Sequence, residues 1–415
     1  MIFRFSLYGF LKNLRFFEAF LVLALRERGM GFLEIGSLIA VREVTTHLLE
    51  IPSGAVADAW GRKACMVASM AAYVGCFLLL GSAGSFTAMA LAMVCYGLGD
   101  AFRSGTHKAM IYSWLREQGR ESERTQVYGY TRSWSKIGSA VSALIAAALV
   151  IFSGNYASVF YWSAVPAFLN LVNLVTYPAS LDAGCHGFKR GIWRAAFVTL
   201  ADAFREIRKL PVLRRLVGES VAMEGGYEAM KDYLQPVLQT AALTLPFLYG
   251  QSDLRRTALV TGVVYALVFF AGSLASRRAH VWESWCGGSV AATSRLRMLT
   301  ALLMALLLPA LLYGLPWVAA GIFVVMGLLQ NLWRPIQVGR FDEHGSEGVG
   351  ATLLSVESQA KSMAAAFWAP LLGAMIDVSL NGTGAVPTAV LWPICLPLIV
   401  ILLSFFRKGV ISHSP

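Results

Sequence analysis

Long apolar runs, each closed by a short polar or charged turn, follow one another along the whole chain. Twelve can be placed, near residues 6–27, 33–57, 63–82, 86–115, 125–151, 157–178, 214–242, 254–275, 294–313, 316–340, 349–376 and 386–406. A helix that spans a bilayer needs about 20 mostly apolar residues. Inside lipid, each backbone N–H and C=O must be satisfied within a helix or a closed barrel. A barrel would show short alternating strands, whereas these runs are long and unbroken. The pattern therefore predicts an all-α membrane protein with twelve transmembrane helices.

Composition supports that picture. Of 415 residues, 57% are hydrophobic and 14% charged, with a mean hydropathy of +0.60. A soluble domain carries about 25% charged residues. The net charge of +11 does not imply a nucleic-acid partner, because the basic residues gather at the ends of apolar runs. The six cysteines form no CxxC pair and no regular spacing, so neither a metal site nor a disulfide framework is expected. The opening stretch lacks a small-residue cleavage site and is taken as the start of the first helix rather than a signal peptide.

The Lys/Arg bias sets an expected orientation. One series of loops carries Arg62 and Lys63, Arg116, Arg120 and Arg124, Lys189, Arg190 and Arg194, Arg277, Arg278, Arg295 and Arg297, and the tail residues Arg407 and Lys408. The opposite series is nearly uncharged, with Arg26, Arg28, Arg255 and Arg256 as exceptions. Under the positive-inside rule both termini are expected in the cytoplasm. A polar connector, 179–213, separates an N-terminal six-helix half, 1–178, from a C-terminal one, 214–415. In the connector Trp193, Phe197, Leu200, Phe204 and Ile207 recur at helical steps, which predicts an amphipathic or linker helix. The halves echo each other weakly. Gly97-Leu-Gly-Asp-Ala-Phe-Arg103 resembles Gly327-Leu-Leu-Gln-Asn-Leu-Trp-Arg334, and Lys136 in the fifth run corresponds to Lys361 in the eleventh. Two pseudo-symmetric halves are therefore expected.

Between the second and third runs stands Gly54-Ala-Val-Ala-Asp58-Ala-Trp-Gly61-Arg62-Lys63, a G-x-x-x-D-x-x-G-R-K pattern. It resembles the loop between helices two and three of the major facilitator superfamily, a family of secondary transporters. The resemblance extends to Glu50-Ile-Pro-Ser-Gly54, to Ser104-Gly-Thr106 and to Ser355-Val-Glu357-Ser. It implies twelve helices in two halves, alternating access, and a conformational-switch role for Gly54, Asp58, Gly61, Arg62 and Lys63. One departure matters. Bacterial relatives with this fourth-segment pattern often carry two acids after the Ser-Gly-small triplet, where this chain has His107 and Lys108.

Ionisable residues inside spanning segments are costly unless paired or facing water, and they mark candidate sites. The fourth run carries Asp100, Arg103, His107 and Lys108, and the fifth Arg132 and Lys136. The second half adds Arg334 and Lys361. Arg103, His107, Lys108, Lys136, Arg334 and Lys361 are the candidate substrate-binding residues. Together they favour a small anionic solute, an organic acid or acidic chelate. The competing reading pairs these cations with resident acids, Arg103 with Asp100 and Lys361 with Glu357, and lets Arg132 snorkel to the interface. Glu43, His47 and Glu50 lie on one helical face, and Glu224, Glu228 and Lys231 follow in the seventh run with Pro236 beyond. Glu43, His47, Glu50, Glu224, Glu228 and Glu357 are the proton-coupling candidates.

No nucleophile elbow and no Walker loop is present, so neither an enzyme nor an ATP-driven pump is expected, and no cofactor or metal. The expected protein is a monomeric, multi-pass transporter of the cytoplasmic (inner) membrane. Its partners would be a small-molecule substrate, a coupling proton and the lipid bilayer. Two other readings stay open: an exporter of hydrophobic drugs, and a non-transporting sensor or assembly protein on the same scaffold.

Overall fold

The computed structural model describes residues 1–104, 106–178, 181, 205, 210–248, 250–344, 350–380 and 386–406. Nearly all of the connector's proposed helix, Gly105 and the tail cations Arg407 and Lys408 lie outside the described residues, as does the side chain of Asp58. The described chain is helical, with no strand.

The first helices are α1 (Ile2–Lys12), α2 (Leu21–Glu27), α3 (Phe32–Trp60), α4 (Arg62–Ser82), α5 (Phe86–Arg103), α6 (Thr106–Glu117), α7 (Arg124–Ser153) and α8 (Ser158–Val175). Next come α9 (Pro211–Ser220), a π turn (Val221–Gly225), α10 (Gly226–Met230) and α11 (Leu234–Leu243). The remainder are α12 (Asp253–Arg277), α13 (Ala279–Cys286), α14 (Ser289–Leu312), α15 (Pro316–His344), α16 (Gly350–Ser379), a 3-10 stretch (Thr388–Cys395) and α17 (Leu398–Phe406).

Eight spans among the described residues are long and apolar enough to cross a membrane by length and composition. The other four predicted runs are the first, second, fourth and seventh. The second is one long helix, α3, but Arg42, Glu43, His47 and Glu50 interrupt its apolar character. The first, fourth and seventh are each broken, into α1 and α2, α5 and α6, and α9 through α11. Continuous hydropathy thus hides three interruptions among these four runs, and the twelfth also divides, into the 3-10 stretch and α17. Irregular backbone at membrane depth is tolerated where it lies within protein or lines a wet cavity. All three broken runs carry charged side chains.

The chain divides into two compact units, residues 1–196 with 242–270, and residues 197–241 with 271–415. Residues 242–270, from the second half of the sequence, group with the first unit. In the first unit α5 packs between α3 and α4, α4 packs on α8, and α1 packs on α7 and α8. In the second, α14 packs on α15 and the 3-10 stretch, and α16 packs on the π turn and α10. Large apolar side chains such as Phe152, Leu302 and Phe367 stay exposed, as a lipid-facing surface requires.

Three arginines that departed from the loop bias have a local reason. Arg28 donates to the carbonyls of Leu80, Gly81 and Ala83 at the end of α4. Arg256 donates to those of Leu243 and Leu245 after α11, and Arg26 to that of Met30. The last carbonyls of a helix have no partner within it, and a guanidinium satisfies several at once. By contrast, Arg116, Arg120 and Arg124 sit in a charged loop with Glu121 and Glu123. There the Arg120 guanidinium holds the Glu123 carboxyl below its ordinary range.

Candidate functional site

The close approach of α1 and α7 builds a cavity in the first unit. A Cβ on Gly138 would lie 2.6 Å from the Phe10 carbonyl oxygen, and one on Gly9 would lie 2.6 Å from Ser135 Oγ. Without side chains at these points the two backbones meet. Lys12 at the end of α1 then shares a cavity with Arg132 and Lys136 of α7 and with Arg103, His107 and Lys108 from the α5–α6 break. The cavity measures about 290 Å³. Among the described residues five cations line it, and no carboxylate does. Arg103 is paired behind the wall: it bonds Asp100, which also accepts from Tyr73 and lies 3.6 Å from Arg15. Lys12, Lys108, Arg132 and Lys136 form no ion pair among the described residues. Lys108 instead rests over the rings of Tyr112 and Tyr128.

One wall of the cavity is aromatic. The His107 ring stacks on Tyr8 at 3.9 Å, with Phe5 edge-on to it. Asp100, Arg103 and His107 stand at steps of three and four, which on an unbroken helix would give them one face. A break between Arg103 and Thr106 interrupts that face, yet Arg103, His107 and Lys108 reach the same cavity from both sides of it.

Along α3 the predicted row is in mutual contact. Glu43 pairs with Arg42 at 2.9 Å and lies 3.8 Å from His47, whose Nδ1 lies 3.2 Å from Glu50. Glu50 in turn accepts from Ser104 Oγ at 2.7 Å, at the very break that opens the cavity.

In the second unit the cations are matched by acids. Glu224 accepts from Lys361 at 2.6 Å, from Trp333 at 3.1 Å and from Arg334 at 3.3 Å. Glu357 accepts from Arg334 at 2.7 Å and lies 3.4 Å from Lys361. Two carboxylates thus face two cations. Glu357 is wholly buried, and its second oxygen has no hydrogen-bond partner. Gly225 permits the arrangement, since a Cβ there would lie 2.8 Å from Ala364 and 3.1 Å from the Lys361 carbonyl oxygen. Glu228 is separate and bonds Lys231.

A further cluster lies elsewhere in the second unit. Glu219, 1% exposed, pairs with Arg340 at 2.6 Å, Arg215 at 2.9 Å and Arg297 at 3.3 Å. Arg297, which the charge pattern placed in a loop, is 3% exposed within α14.

The Gly54–Lys63 segment joins α3 directly to α4. Gly61 takes φ 103 and ψ 140, a conformation that is costly for any residue bearing a side chain. Arg62 donates to Ser113 Oγ and Lys63 to the Tyr177 carbonyl, both at 2.7 Å. The short turn is therefore pinned to α6 and to the end of α8.

A family profile for the Major Facilitator Superfamily matches residues 7–356. The chain belongs to that superfamily. It is a multi-pass membrane transporter and not an enzyme. No curated protein matches it in sequence. Solved structures share its fold. A point mutant of the nucleoside transporter NupG aligns over 98% of each chain at 13% identity, with a TM-score of 0.79. A D-xylose-proton symporter aligns over 98% of this chain and 96% of its own at 12% identity, TM-score 0.67. A peptide transporter, POT, in complex with sulfate, covers 98% and 93% at 14% identity, TM-score 0.68.

For a superfamily member, several residues escaped the sequence reading. Lys12 and Arg15 lie within the first apolar run and were legible as intramembrane cations, the signal used for Arg103. Arg132 read as a snorkelling residue, yet it lines the cavity. Glu219, within the seventh run, carried the same signal, whereas Tyr8 and Tyr73 offered none, because only contacts give them a role.

Proposed function

We propose that this transporter is a secondary carrier, working by alternating access and coupled to protons, for a small anionic solute. The observation that carries the reading is the first-unit cavity, lined among the described residues by five cations and no carboxylate. An anion entering it neutralises charges that otherwise repel one another. Arg103, Lys108 and Lys136, with Lys12 and Arg132, would hold the solute, and His107 with Tyr8 would form the wall beside it. A cavity so charged does not suit a neutral hydrophobic drug.

Arg334 and Lys361 take a different part in this proposal. Each is held by carboxylates, so they would serve coupling more than substrate binding. Protonation of Glu224 or Glu357 removes one acid from a balanced group and frees a cation. Glu43, His47 and Glu50 supply a second path for protons, and Glu228 with Lys231 a local pair. The Gly54–Lys63 turn, with Asp58, would help set the balance between conformations. The neighbours named as proton symporter and peptide transporter support carrier chemistry of this kind. We further propose an inner-membrane monomer with cytoplasmic termini, divided as 1–178, 179–213 and 214–415.

Uptake into proteoliposomes tests the anionic reading. Labelled organic anions should accumulate, and Lys136→Gln should cut their uptake at least tenfold. Transport of neutral solutes alone, or anion uptake indifferent to Lys136, would refute it.

A further inference from the structure

The break between α5 and α6 gives the cavity a second source of positive potential. α6 begins at Thr106 and carries no acid in its first turn; instead His107 and Lys108 stand there, and both line the cavity. A helix N-terminus presents unpaired N–H groups and a positive dipole end, which favours anions and disfavours cations. Cations placed there need an anion to offset them. Tyr8 also lines the cavity, is 3% exposed, and its hydroxyl makes no hydrogen bond of standard geometry. The site therefore holds a buried hydroxyl beside Arg103, with acceptor capacity left, as well as a surplus of positive charge.

From these features we infer that the cavity takes a phosphoryl dianion, the charged end of a phosphorylated organic solute. This rests on the anionic reading above and narrows it. Charge is the first reason. Four lining cations form no ion pair among the described residues, and Glu18 acts on Lys12 and Lys136 only through space, so a single carboxylate ligand would leave most of the charge unmatched. A phosphoryl group carries about −1.5 to −2 near pH 7 and three strong acceptor oxygens. Geometry is the second. Donors approach from α1 through Lys12, from α6 through Lys108 and its N-terminus, and from α7 through Lys136. A planar carboxylate suits a single guanidinium fork, whereas ammonium groups arrayed on three sides suit a tetrahedral one. Space is the third. At about 30 Å³ per water in the liquid, the cavity has room for more than a bare phosphate ion. The aromatic wall gives an apolar surface for an organic body.

Thermal shift of the purified full-length protein tests this at constant ionic strength and pH 7.5. The probes are inorganic phosphate, ribose 5-phosphate and citrate, with chloride as reference. Both phosphates should raise the melting temperature above chloride, ribose 5-phosphate more than phosphate, and citrate should do less. Lys108→Gln, at an exposed position, and Lys136→Gln should each weaken the phosphate response about tenfold. Arg255→Gln, outside the cavity, should leave it intact. A response to citrate equal to or above that of the phosphates overturns the phosphoryl assignment and leaves the anionic reading standing. No response to any of the three overturns both. A phosphate response that survives the Lys108→Gln/Lys136→Gln double variant overturns the location.

Discussion

Lys12, Lys108, Arg132 and Lys136 form no ion pair among the described residues, whereas Arg215, Arg297 and Arg340 share Glu219. Opposite expectations follow for residues of similar chemistry. Removing one partner of a buried ion pair leaves an uncompensated charge and costs about 3–5 kcal/mol. Glu219→Gln should therefore lower stability by about that amount, visible as a large fall in melting temperature in detergent; an unchanged melting temperature would contradict the buried cluster. Glu224→Gln is milder, because Glu357 still faces both Arg334 and Lys361. The folded protein should survive, with exchange of substrate across the membrane retained and uptake driven by a pH gradient lost. Retained proton-driven uptake in that variant would remove Glu224 from the coupling path.

Among the helices, the contacts that matter run through glycines. The α1–α7 approach depends on Gly138, whose absent Cβ would meet the Phe10 carbonyl oxygen at 2.6 Å. Backbone cannot yield as a flexible side chain can. Gly138→Ala should cost about 1–3 kcal/mol as overpacking. It should also weaken anion binding by moving Lys12 away from Lys136, as a ligand titration would detect; unaltered affinity would show that the cavity does not depend on this contact. The elements themselves were largely legible. The twelve apolar runs correspond to helices or groups of helices among the described residues. The three breaks were not legible, because Ser104, the stretch around Asn13 and the turn at Val221–Gly225 sit within runs whose hydropathy continues past them. A break depends on what the freed carbonyls and amides can find around them, which is a property of neighbours.

Across the whole molecule, the proposed coupling makes one demand that no single residue carries. Accumulation of the anion above its external concentration should collapse when a protonophore dissipates the gradient, while equilibration continues. Accumulation that persists under protonophore would exclude proton coupling as the driving force. The helical membrane class, the superfamily and the abundance of intramembrane charge could all be read along the chain. Helix periodicity, segment length and the Gly54–Lys63 motif are local properties, so they need no partner to be recognised. Pairs within one helical turn, Arg103 with Asp100 and Lys361 with Glu357, could also be read along the chain; which charges are matched at longer range is settled by packing. Arg334 and Lys361 read as equals of Arg103 and Lys136, yet the first pair meets Glu224 and Glu357, while Lys136 forms no ion pair among the described residues. Coulombic compensation acts over a few ångströms between residues that lie tens or hundreds of positions apart in the chain. Contacts at that separation exist only once the helices have packed.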